Sequence, residues 1–125
     1  MTNTVLQVAL GGALGSVLRL LVGTAWLRAA GPLPLPAATL TVNVVGSAAM
    51  GAFVVLAAQR DLMFLSPFVM TGLLGGFTTF SAFSLESVGL LERGEAGLAA
   101  LYIGLSVALS LTGLWLGMIV ARAVV

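Results

Sequence analysis

Four long apolar segments follow one another along the chain, separated only by short polar turns. Each is close to the roughly 20 residues that a helix needs to cross a hydrocarbon core about 30 Å thick. Charged residues make up 7% of the 125, where a soluble domain carries about 25%. So few charges cannot cover a water-facing surface. The sequence predicts an all-α integral membrane protein, a single four-helix domain over residues 1–125. Its helices are expected at about 4–27, 37–58, 62–91 and 97–122. The start, Met1-Thr2-Asn3-Thr4, lacks the basic stretch of a signal peptide, so the first segment is expected to be retained.

The third segment is some 30 residues long, more than one simple span requires. Ser66-Pro67 reads as an N-cap followed by proline at the first helical position. The helix then meets Gly72–Ser84, reading GLLGGFTTFSAFS, with three glycines and a run of hydroxyls inside an apolar stretch. A break is expected near 72–79, in the middle of the membrane. Freed backbone groups find no water there, so such a break needs cover from protein or from a water-filled cavity. Breaks of this kind commonly mark ion or substrate sites. Beyond it, Phe80, Phe83 and Glu86 lie at i, i+3 and i+6, on roughly one helical face.

The remaining segments bring small residues and isolated polar groups. In the first, Gly11 and Gly15 are one turn apart and Arg19 follows on the same face. Small residues at that spacing let a second helix approach closely. Arg19 therefore points inward, either capping carbonyls or snorkelling, or luring anions into an aqueous vestibule. Trp26 and Arg28 read as an interfacial anchor. The second segment is uncharged, and Asn43 is its one strongly polar side chain, suited either to gluing helices together or to binding a ligand. The fourth carries Tyr102, Ser106 and Ser110 at i, i+4 and i+8, and Gly113 and Gly117 as a GxxxG pair. Single serines in membrane helices often bond back to the i−4 carbonyl. Three hydroxyls on one stripe also fit a polar pathway.

Charge balance bears on assembly. With four spans, both termini and the 59–61 turn share one side, which holds Arg60 and Arg122, against Arg28 and Arg93 on the other. The positive-inside rule then gives almost no preference, so copies can insert in both orientations. Four thin helices also offer little interior in which to bury Arg19, Asn43 and Glu86. An antiparallel, dual-topology homodimer is the expected assembly.

Catalysis is not expected. Histidine and cysteine are absent, no metal-ligand cluster is evident, and no two carboxylates share a membrane segment. A net charge of +1 without a basic stripe argues against nucleic acid. What remains is a set of hydrogen-bond donors: Asn43, Thr78, Thr79, Ser81, Ser84, Tyr102, Ser106 and Ser110. Beside them stand Phe80 and Phe83, which either pack or turn their positive ring edges to an anion. Donors and ring edges can solvate a small anion without the fixed cation that would trap it.

Three stretches carry a family resemblance that spans most of the chain. GGALGSVLR in the first segment, TLTVNVVGS in the second and GLLGGFTTFSAFS in the third resemble the signatures of the Fluc (CrcB) family of fluoride channels. The third is long and specific, and it departs from the family at Ala82, where threonine is usual. The resemblance implies a dual-topology homodimer in the plasma (inner) membrane of a prokaryote, with two antiparallel pores passively exporting fluoride and excluding chloride. It implies that Phe80 and Phe83 line the pores by their ring edges and that Asn43 is the pore asparagine. Thr79 and Ser81 fall in the same hydroxyl run, and Tyr102, Ser106 and Ser110 match a polar track on the fourth helix. It also implies a structural sodium ion at the dimer two-fold, held by backbone carbonyls at Gly75 and Thr78. Beyond Ser110 the next stripe position is Leu114, with Thr112 off the stripe.

The rival is a proton-coupled exporter resembling the small multidrug resistance proteins. It needs a carboxylate deep in the first helix, where this chain has Arg19. A non-transporting membrane anchor would explain the small-residue faces but not the hydroxyl run within a broken helix.

Overall fold

The computed structural model describes residues 1–125, and it is all-helical. Helix α1 spans Thr2–Ala30 and α2 spans Ala37–Gln59. A short 3-10 turn, Met63–Leu65, leads into a wide π-helical stretch, Pro67–Leu74, followed by one α-turn, α3 (Gly75–Phe77). Thr78 and Thr79 are extended, and α4 (Phe80–Glu92) and α5 (Ala96–Val124) complete the chain. Four stretches, Thr2–Ala30, Ala37–Gln59, Met63–Glu92 and Ala96–Val124, are long and apolar enough to cross a membrane.

Turn chemistry sets the connections. Gly31 and Gly94 adopt positive φ after α1 and α4, and Asp61 does so after α2, a conformation that aspartate tolerates better than most residues. Three prolines stiffen the 31–36 link, and Pro36 stands directly before α2. Pro67 opens the π-helical stretch, but Ser66 does not cap it as expected: its hydroxyl turns back to the Met63 sulfur, 3.9 Å away. Ser66 itself has helical φ and ψ, so the preceding turn runs straight into the wide helix and leaves no extended residue to act as a cap.

Packing divides into two seams. Along one, α1 lies against the wide helix and α3 with backbone touching backbone. A methyl group at Gly11 would overlap the Phe68 carbonyl oxygen, one at Gly15 the Leu73 carbonyl oxygen, and one at Gly76 would crowd Gly12. Along the other, α2 runs parallel to α5. Gly113 rests against Val44 and Gly117 against Ala48, so the two helices advance in the same direction with a fixed register. A small cluster of Leu90, Ala99 and Tyr102, flanked by Leu35, Leu40, Phe83 and Leu98, joins α4 to α5 and to the start of α2.

The interior is small. Only 16 of 125 residues are buried, so most leucine and valine side chains face outward, as lipid-exposed helices require. Side-chain hydrogen bonds reinforce the seams: Trp26 Nε1 donates to Thr41 Oγ1 at 3.0 Å, and Thr41 passes its own proton to the Ala37 carbonyl at 2.7 Å. Trp26 thus ties α1 to α2.

The first seam tolerates no side chain. Gly15→Ala is expected to destabilise the fold by about 3 kcal/mol or more, the upper range for overpacking. Gly23→Ala, where nothing lies within 4 Å of the added methyl, is expected to leave stability unchanged or slightly raised. Thermal unfolding in detergent, followed by the monodisperse fraction on gel filtration, separates the two.

Candidate functional site

The site is built around the two extended residues Thr78 and Thr79. In an unbroken helix the Thr79 N–H would bond to the Gly75 carbonyl. Here it donates to Asn43 Oδ1 at 2.8 Å, and Asn43 Nδ2 donates to the Thr79 carbonyl at 3.2 Å. A single amide side chain from α2 therefore supplies both the acceptor and the donor that the interrupted backbone lacks. Arg19 serves the same region from α1, its Nε donating to the Gly76 carbonyl at 3.1 Å. Thr79 then caps α4, its Oγ1 accepting from the Ala82 N–H at 3.1 Å. Close approach of α2 depends on Gly46, where a methyl group would overlap the Thr78 side chain.

From this junction a groove of about 410 Å³ runs between α2, α4 and α5. It gathers Asn43, Thr78, Thr79, Phe80, Phe83, Ser106 and Ser110, all singled out from the sequence. The Phe80 and Phe83 rings stand 5.5 Å apart at 48°, and Phe83 meets Tyr102 at 5.4 Å and 48°. Both separations lie within the range over which aromatic rings interact, at an angle between stacked and edge-to-face. Phe80 is 78% exposed, Phe83 half-buried and Tyr102 wholly buried, so the ladder runs from the surface inward. Ser106 is 5% exposed, and its buried hydroxyl stands near that of Tyr102, one turn back, without a hydrogen bond of good geometry. An orphan of this kind is uncommon in a packed interior. Five other hydroxyls bond back to their own helices instead: Thr24, Thr41, Thr78, Ser84 and Ser87.

Two residues of the expected set stand off the groove. Ser81 is exposed, and its hydroxyl lies 3.3 Å from Thr79 Oγ1. Tyr102 sits behind Phe83 and donates its hydroxyl proton to Glu86 Oε1 at 3.1 Å. Thr39 donates to the other carboxylate oxygen of Glu86, also at 3.1 Å. Glu86 and Arg19 therefore bond to different partners rather than to each other. Thr39 was not singled out from the sequence, although Thr39, Asn43 and Ser47 repeat at i, i+4 and i+8 with the same spacing as Tyr102, Ser106 and Ser110. That repeat was the available signal.

A second cleft, of about 530 Å³, opens on the other side of Thr79 and is bordered by Ser16, Arg19, Thr39 and Ala82. Thr79 is common to both. Ala82 thus faces the Arg19 cleft, not the phenylalanine groove, although it lies between the two phenylalanines in sequence. Arg19 both caps a carbonyl and borders this cleft, so the two sequence readings of it are compatible. Gly75 is exposed and the Thr79 N–H does not reach its carbonyl, which leaves that oxygen available at the surface.

The chain matches known proteins over nearly its whole length. The family model described as CrcB-like protein, Camphor Resistance (CrcB), matches residues 6–118. A relative from Ruegeria sp. (strain TM1040), called fluoride-specific ion channel FluC, is 64% identical over 99% of this chain and 98% of its own. Proteins of the same description from Roseobacter denitrificans (strain ATCC 33942 / OCh 114) and Rhizobium etli (strain CIAT 652) are 58% and 52% identical, covering 98% and 93% of this chain and 98% and 94% of their own. With its four membrane-crossing stretches, this multi-pass protein of the prokaryotic cell membrane belongs to the CrcB (FluC) family.

Proposed function

We propose that the chain is a passive, fluoride-selective channel that exports fluoride and so limits its toxicity. The observation that carries this reading is the groove itself, where hydroxyl and amide donors and phenylalanine edges converge on space with no charged side chain among its lining residues. The buried Ser106 hydroxyl supports it, because a donor without a well-formed bond to the protein is ready for a passing anion. A small anion shed of water needs several donors at once, and the groove offers Ser106, Ser110, Thr79 and the second amide proton of Asn43. Ring edges of Phe80 and Phe83 add weak positive potential. Fixed positive charge is kept next door, on Arg19, where it raises the local anion concentration without holding an ion in the path. The names of the relatives point the same way.

The working unit in this proposal is an antiparallel, dual-topology homodimer with two pores. One copy supplies only an open groove, with Phe80 standing 78% exposed at its edge, and a second copy would close it. The third span is then a helix broken at membrane depth, with Asn43 and Arg19 meeting the backbone groups that lipid cannot. A sodium ion at the two-fold would be held by the Gly75 and Thr78 carbonyls, together with their copies. The donor set fits: it is oxygen only, as a hard cation prefers, and the Gly75 carbonyl is relieved of its helical partner. Such an ion would pin the two breaks together. The proton-coupled exporter fits less well, since the one ionisable side chain in the membrane-spanning part of α1 is Arg19, and Glu86 is engaged by Thr39 and Tyr102.

Three measurements test the reading. Liposomes loaded with both halides and containing the purified protein are expected to release fluoride on valinomycin-driven efflux and to retain chloride; release of both, or of neither, rejects it. Phe80→Ile and Phe83→Ile remove ring edges while keeping apolar bulk, and each should slow fluoride efflux by about tenfold or more without changing the elution volume. Asn43→Asp keeps the acceptor for the Thr79 N–H but, ionised, has no proton for the Thr79 carbonyl or for an anion. Efflux should fall by about a hundredfold, and wild-type rates in that variant would remove Asn43 from the path.

A further inference from the structure

The α5 hydroxyl row stops at Ser110, and the groove does not. The next position on that face is Leu114, which together with Leu111 and Met50 lines the far end. A partly dehydrated anion moving past Ser110 would meet apolar walls and no donor, at a large cost in solvation. Two lining hydroxyls stand at this level: Thr78, which packs on Gly46 but is spent on the Leu74 carbonyl, and Ser47 on the facing helix.

We propose that Ser47 takes over from the α5 row and coordinates fluoride at the level of Leu114, so that the conduction path crosses from α5 to α2 at this end of the groove. The inference rests on the channel reading and extends it to a residue outside the expected set. Register supports it. Gly113 rests on Val44, Gly117 on Ala48 and Gly51 on Leu114, and together these contacts put Ser47 within about a turn of Leu114. Orientation supports it as well, because Ser47 shares the α2 face of Asn43, one turn back, and both line the groove. The hydroxyl is also free. Thr41, one turn and a half away on the same helix, bonds back to the carbonyl four residues before it, and Ser47 makes no such bond. In the same groove the buried Ser106 hydroxyl makes no well-formed bond either, so both hydroxyls are left unspent by the fold.

The test separates the hydroxyl from the volume around it. In fluoride efflux from liposomes, Ser47→Thr is expected to stay within about twofold of the unmodified chain, and Ser47→Val, which matches threonine in shape, to fall by about tenfold, the scale of one lost hydrogen bond. Placing Leu114→Thr in the Ser47→Val background restores a hydroxyl at that level from the other wall and should return most of the flux. Equal rates for the threonine and valine variants overturn the proposal, as does a valine variant that Leu114→Thr fails to rescue. If Ser47→Val does not fold, Ser47→Ala with the same rescue decides the matter by the same two outcomes. Failure of the unmodified chain to release fluoride would instead reject the channel reading itself, before any Ser47 variant is compared.

Discussion

Two hydrogen bonds between Asn43 and the Thr79 backbone hold the centre of this protein in its shape. They let a membrane-embedded chain leave helical geometry for two residues without stranding an N–H or a carbonyl, which in hydrocarbon costs several kcal/mol per group. Everything local follows from them. Thr79 is fixed in extended backbone and so can cap α4; α4 then leaves at an angle that sets Phe80 and Phe83 along the groove; and the Gly75 carbonyl loses its helical donor. The same asparagine stands in the groove wall, so the residue that mends the backbone also lines the groove.

Three polar systems surround this pairing, two of them linked by Thr39, which borders the Arg19 cleft and donates to Glu86. Arg19 meets the Gly76 carbonyl from the α1 side, Glu86 gathers the Thr39 and Tyr102 hydroxyls on the α5 side, and the groove hydroxyls of Ser106 and Ser110 lie between α2 and α5. Keeping the carboxylate bonded and the guanidinium in a neighbouring cleft leaves the groove with dipoles only. Dipoles attract an anion strongly enough to replace water and weakly enough to release it, a balance that a buried full charge would upset.

Much of this was legible in the residues because the membrane makes few exceptions. Scarcity of charge dictated spanning helices, and the glycine and hydroxyl run could not continue one unchallenged. The stripe of Tyr102, Ser106 and Ser110 was visible from spacing alone, yet spacing could not say that Tyr102 would turn away from the groove to Glu86. The parallel stripe of Thr39, Asn43 and Ser47 is harder to see, because Asn43 dominates its segment and small hydroxyls on either side read as packing. Ser66 misleads for a physical reason: proline after serine signals a cap only when the serine is extended, and here the preceding turn keeps it helical. The π-helical winding of Pro67–Leu74 has no sequence signature at all, since its apolar residues suit either winding.

The glycine seam between α1 and the wide helix has a thermodynamic side. Glycine in a water-exposed helix is a liability, because the unfolded backbone has so much freedom to lose. In lipid, each span must satisfy its own backbone and is helical before it meets a neighbour, so that loss is already incurred when α1 and the wide helix come together. Gly11, Gly15, Gly72 and Gly76 then meet with no rotamers to freeze, and their contact forms almost free of side-chain entropy cost. The bilayer thus turns the residue least suited to a soluble helix into the one that joins helices at the lowest entropic cost.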